Sequence, residues 1–205
     1  MELHLMHFLI VCPLVFLAGF VDAVAGGGGL ISLPAYMIAG LPVHFAIGTN
    51  KLSSGMGTTL ATARFAKNGY IAWKNALLCI VTALIGSSLG AKLALQLDDY
   101  YFKRLILVIL PCTALYLTFG KPFVGEKKSF PVRKMILFSA LIAFIIGIYD
   151  GFFGPGTGTF LVLAFTGILK MPIIQATGNA KAVNLASNLA SLAAYITGGK
   201  VAFAV

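Results

Sequence analysis

Two lysines and two aspartates lie within or beside long apolar stretches: Asp22, Lys51, Asp150 and Lys181. A charge inside an apolar segment is costly unless it is partnered or faces a wet cavity, so such residues mark binding, coupling or pairing. Each lysine opens a polar stripe, Lys51, Ser54 and Thr58 in one case and Lys181, Asn184 and Asn188 in the other. That spacing puts all three side chains on one face of a helix. Thr49, Asn50 and Asn179 add donors around the same turns. An ammonium that snorkels to the interface would leave these neighbours without a purpose. A cationic, hydrogen-bonding stripe suits a small anion. Asp22 and Asp150 could carry a coupling proton or cation, pair with a lysine, or cap the helix break that follows each of them.

Those breaks are marked by glycine. Gly26, Gly27, Gly28 and Gly29 follow Asp22, and GPGTG, with Gly154, Gly156 and Thr157, follows Asp150. A half-helix that begins after such a break presents unpaired backbone N–H groups and the positive end of its dipole, a natural seat for an anion. The alternative use of the glycines is close helix packing. A nucleotide loop is excluded, because no Gly-Lys-Ser/Thr follows either run.

The elements that must hold these residues are membrane helices. Of the 205 residues, 59% are hydrophobic and 10% charged, against roughly a quarter charged in a soluble domain. Apolar segments fall at about 5–25, 30–41, 43–66, 73–97, 101–120, 135–153, 157–169 and 173–197, most of them near the ~20 residues that cross a bilayer. The second and seventh are too short for a straight crossing and read as broken or re-entrant half-helices, which need protein or a water-filled cavity to satisfy their backbone. Fifteen Lys and Arg against six Asp and Glu could suggest nucleic acid, but the basic residues cluster at segment ends, which reads as topology and places the 120–134 loop and the Arg64, Lys67 and Lys74 loop in the cytoplasm. MELHLMH has no Lys or Arg ahead of the first apolar run, so that run reads as a retained span and not a signal peptide. Cys12, Cys79 and Cys112 sit inside apolar segments and read as packing thiols.

The chain also repeats. GFVDAVAGGGG at 19–29 aligns without a gap with GIYDGFFGPGT at 147–157, and after a two-residue shift PVHFAIGTNK at 42–51 aligns with PIIQATGNAK at 172–181, with Gly69 pairing with Gly199. The domain reading is a first transmembrane repeat at 1–120, a basic linker at 121–134 and a second repeat at 135–205 that lacks about two final helices. If all five segments per unit cross, the copies are inverted; if the short ones turn back, four crossings per unit make them parallel, and inversion is favoured because it also puts Lys170 on the cytoplasmic side. The fold class is an all-α integral membrane protein of two homologous repeats with interrupted helices, a layout found in transporters.

An enzyme is not expected: His4, His7 and His44 form no ligand cluster, no HExxH occurs, and Glu2 and Glu126 lie outside the apolar segments. With VDAVAGGGGLISLPA, GTNKLSS, YDGFFGPGTGTF, NAKAVNLASN and GGKVAF in view, the chain resembles the sulfite exporter TauE/SafE family. The resemblance implies a multi-pass protein of the bacterial inner membrane that moves sulfite, a sulfonate or a related organic acid without ATP hydrolysis or cofactor. A passive anion channel and a membrane scaffold are the competing readings.

Overall fold

A computed structural model of the protein describes residues 5–119 and 131–203. Eight helices form there: α1 (Leu5–Ala25), α2 (Gly29–Ile38), α3 (Val43–Lys67), α4 (Trp73–Leu95), α5 (Asp99–Phe119), α6 (Val132–Phe152), α7 (Thr157–Gly167) and α8 (Ile173–Thr197). Each matches an apolar segment read from the sequence to within a turn, and the short second and seventh segments are helices of 10 and 11 residues. One boundary differs. Arg133 and Lys134, expected in the linker, belong to the first turn of α6, because Pro131 supplies a helix-compatible entry that needs no N–H partner. The rest of the basic linker, 120–130, lies outside the described residues.

Local chemistry sets the other ends. Pro42 and Pro172 stand at the N-caps of α3 and α8. Both helices stop at a glycine with positive φ, where Gly69 and Tyr70 bond back to the carbonyls of Ala66 and Phe65, and Gly199 and Lys200 to those of Ile196 and Tyr195.

Trp73–Leu95, Asp99–Phe119 and Arg133–Phe152 are long and apolar enough to cross a bilayer. Helices α3 and α8 are 25 residues each, about 37 Å long at 1.5 Å per residue. They are the most polar of the long helices because their buried faces carry Thr49, Asn50 and Lys51, and Asn179, Lys181, Asn184 and Asn188. Around them the outer helices expose large apolar side chains such as Phe16, Leu60, Phe119 and Leu137. Lipid is the solvent that such a surface suits, and the chain is a multi-pass membrane protein. Of the three cysteines only Cys79 is packed in the interior. Cys12 and Cys112 face outward, so the packing role expected for them does not hold within this chain.

Helices α3 and α8 form the centre and run antiparallel. Gly48, near the start of α3, packs on the carbonyl of Lys200 just past the end of α8, and Gly178, near the start of α8, packs on the carbonyl of Tyr70 just past the end of α3. Helix α4 lies parallel to α6, with Ala83 against Gly147 and Ser87 against Gly151.

Candidate functional site

Helices α1 and α6 both end in an aspartate followed by a glycine turn, and the turns meet inside the protein. Gly26 has φ +77, and a Cβ there would lie 3.0 Å from the carbonyl carbon of Gly158. Gly29, the first residue of α2, faces Pro155 of the other turn at 3.1 Å by the same measure. Backbone contact between the two chain reversals crowds any Cβ at Gly26 and Gly29, and the Ala18 carbonyl excludes one at Gly28, whereas Gly27 has room for one. Helices α2 and α7 therefore begin at one point in the interior, and their first-turn amides and dipoles add positive potential there.

The charged residues are arranged across this junction. The Lys51 ammonium, on α3, lies 2.8 Å from Oδ1 of Asp150, on α6, and both side chains are at most 2% exposed. Oδ2 of Asp150 has no hydrogen-bond partner. Lys181, on α8, donates from Nζ to the backbone carbonyl of Asp22 at 2.7 Å, while Oδ1 of Asp22 accepts the Gly28 N–H at 3.2 Å. Each lysine thus reaches over to the aspartate of the opposite segment. A buried ion pair recovers its desolvation cost only with good geometry and further hydrogen bonds. An aspartate with one oxygen unpaired leaves that compensation incomplete, which suits a group that changes partner.

The junction encloses a small cavity lined by Asp22, Gly26, Gly29, Asn50, Lys51, Ser54, Asp150, Gly154, Gly156, Thr157, Gly158, Asn184 and Asn188. Its free volume is about 10 Å³, about what one water needs. The Lys51–Asp150 pair lies in the wall of this cavity. Asn50, Asn184 and Asn188 add amide donors, and Asn50 is fixed by Ser32, whose hydroxyl donates to Asn50 Oδ1 at 2.5 Å.

Other residues singled out from the sequence are placed elsewhere. Thr49 Oγ1 accepts the Ala202 N–H at 3.0 Å, and Asn179 Oδ1 accepts the Ala72 N–H at 2.9 Å, so both hold the loops that follow the opposite central helix. Thr58 donates to the carbonyl of Ser54 in its own helix at 2.7 Å. Gly28 and Lys181 border a second, larger groove between α1 and α3. Gly27 lies against Thr159 and Leu30 outside the cavity lining. Four residues near the junction were not singled out from the sequence: Ser32; Pro155; Tyr149, whose hydroxyl donates to the Pro155 carbonyl at 2.6 Å and steadies that turn; and Tyr195, whose buried hydroxyl has no partner. Tyr149, Tyr195 and Ser32 are of types common in membrane helices and Pro155 of a type common in turns, and only the fold brings them together.

The profile of the sulfite exporter TauE/SafE family matches residues 11–205. The chain belongs to this family. It is 36% identical over 190 residues to a probable membrane transporter protein of Haemophilus influenzae, covering 93% of this chain and 74% of that one. A probable membrane transporter protein of Sinorhizobium, ORF9, is 36% identical over 203 residues, covering 98% and 76%. The probable membrane transporter protein YfcA of Escherichia coli is 35% identical over 188 residues, covering 92% and 70%. No solved structure gives a significant match. With this family, the chain is a probable membrane transporter, and lipid and a transported solute are its partners.

Proposed function

We propose that the protein is a secondary transporter of the bacterial inner membrane for a small anion such as sulfite, a sulfonate or a related organic acid. The substrate occupies the junction of the two helix breaks. The observation that carries this reading is the meeting of both glycine turns around a buried Lys51–Asp150 pair drawn from opposite segments. The anion takes the place of the Asp150 carboxylate on Lys51, where the amides of Asn50, Asn184 and Asn188 and the starts of α2 and α7 help replace its hydration. Asp150, displaced, takes up a proton. The junction holds two lysines and two aspartates, so an added negative charge accompanied by a proton keeps the balance.

Duplication is part of the proposal. Its support is reciprocal contact: Thr49 with Ala202 and Asn179 with Ala72, Gly48 with Lys200 and Gly178 with Tyr70, Lys51 with Asp150 and Lys181 with Asp22. In each pairing, aligned positions exchange roles. Since α3 and α8 run antiparallel, the axis relating them lies across the helices, in the membrane plane, as inverted repeats require.

The test is flux of radiolabelled sulfite from proteoliposomes. Lys51→Met is expected to cut efflux at least tenfold with insertion unchanged, and normal efflux in that variant would sink the proposal. Unlabelled sulfite on the far side should accelerate efflux, as a carrier requires; a channel shows no such acceleration.

A further inference from the structure

Among the described residues, four buried side-chain atoms have no hydrogen-bond partner: Thr62 Oγ1, Asn75 Nδ2, Asp150 Oδ2 and Tyr195 Oη. Thr62 lies toward the far end of α3 and Asn75 in the first turn of α4. The other two are neighbours. Asp150 and Tyr195 are 1% and 0% exposed, and the carboxylate is close enough for its charge to act on the tyrosine hydroxyl. A carboxylate oxygen can only accept and a phenol can donate, so the two orphans are complementary. A buried polar group left unpaired is costly, and one that persists calls for an explanation.

Core packing does not explain the hydroxyl. Tyr195 belongs to a cluster with Ile47, Ala91, Ala94 and Phe153, surroundings that a phenylalanine ring would suit as well. The first half has such a ring: the alignment that pairs Lys51 with Lys181 carries Tyr195 onto Phe65. The aspartates of the two halves differ in the same sense. Asp22 commits Oδ1 to the Gly28 N–H, whereas Asp150 keeps Oδ2 unpaired with a free hydroxyl nearby. Tyr149 also feels the Asp150 charge, but its own proton goes to the Pro155 carbonyl at 2.6 Å. Asp150 lines the junction cavity and Tyr195 does not, so the hydroxyl serves the carboxylate and not the solute.

We propose that Tyr195 is a positioning residue: when the anion takes Lys51, the Asp150 carboxyl turns from the ammonium and is received by the Tyr195 hydroxyl. Tyr195 donates throughout and keeps its proton; the proton that neutralises Asp150 comes from water. Holding the displaced group lowers the cost of opening the Lys51–Asp150 pair, so the hydroxyl raises anion affinity without touching the anion. The inference rests on the displacement of Asp150 proposed above and adds the group that stabilises the displaced carboxyl.

Infrared difference spectra of the purified protein with and without sulfite test it. Displacement and protonation of Asp150 give a carboxylic-acid C=O band on adding sulfite, absent from Asp150→Asn. A hydrogen bond donated to that carbonyl lowers its stretching frequency, so in Tyr195→Phe the band should persist at higher wavenumber. The half-saturation concentration for sulfite exchange should rise at least about threefold, as loss of one hydrogen bond predicts, with the saturating rate within twofold. Without sulfite, the melting temperature of Tyr195→Phe should not fall, because only an unpaired hydroxyl is removed; a fall would mean a structural bond in the resting protein and overturn the proposal. A band at the native frequency in Tyr195→Phe, or an unchanged half-saturation concentration, would overturn the role of Tyr195 and leave the displacement of Asp150 standing. No band in the native protein would remove the displacement itself, and the role of Tyr195 with it.

Discussion

At the scale of single residues, Lys51 and Asp150 pose a choice between scaffold and machinery. Removing one member of a buried pair leaves an uncompensated charge and costs about 3–5 kcal/mol, so Lys51→Met alone should lower the melting temperature in detergent whichever role the pair has. The double variant Lys51→Met/Asp150→Asn removes both charges and is expected to regain most of that stability. A scaffold would then transport normally; the proposed mechanism requires that flux stay at least tenfold down, because no ammonium is left to meet the anion. Asp150→Asn alone keeps the ammonium and loses the proton acceptor, so sulfite exchange should persist while a pH gradient no longer drives net uptake. Gradient-driven uptake at the native rate in that variant would remove Asp150 from the coupling step. The sequence shows these charges plainly, since ionisable residues in apolar runs are rare. It does not show which polar groups the fold consumes. Thr49 and Asn179 look like ligand donors by position, yet their oxygens hold the Ala202 and Ala72 amides, contacts separated by more than a hundred residues that no local pattern encodes.

At the scale of elements, the question is whether the glycine turns matter for their backbone angles or for their mutual contact. Gly26 and Gly40 separate the two, since both have positive φ, +77 and +86. A Cβ on Gly40 would meet nothing within 4 Å, while one on Gly26 would lie 3.0 Å from backbone atoms of Gly158 and Thr159. Alanine in the left-handed region costs about 1–2 kcal/mol, so Gly40→Ala should show that loss in thermal unfolding with flux within twofold of the native protein. Gly26→Ala adds a collision with backbone that cannot rotate away, pushing the turns apart, and its flux should fall at least tenfold. Equal flux in the two variants would mean that contact between the turns is incidental. Helix limits were legible because Pro42, Pro172, Gly69 and Gly199 punctuate the chain locally. The apposition of the turns was legible only as a possibility, since it depends on how α1 and α6 are brought together by α3 and α8.

At the scale of the molecule, the antiparallel course of α3 and α8 decides how the loops are distributed. Asn68 follows α3, and its aligned partner Gly198 follows α8; both are exposed. Because Gly178 at the start of α8 lies against Tyr70 beyond the end of α3, the far end of α8 belongs at the opposite surface, about 37 Å away for a helix of 25 residues. Arg64, Lys67 and Lys74 flank Asn68 with no acid among them, so the positive-inside rule predicts that this surface faces the cytoplasm. In a background without native cysteines, Asn68→Cys should react with a membrane-impermeant maleimide only in inside-out vesicles, and Gly198→Cys only in intact spheroplasts. Parallel repeats would put both positions on one surface and label them together. The basic residues alone orient only the cytoplasmic side, and Lys170 is a single charge. The proposed inverted arrangement draws its support from the pair of reciprocal backbone contacts at the two ends of the central helices, because only opposed chain directions allow each start to meet the other's finish.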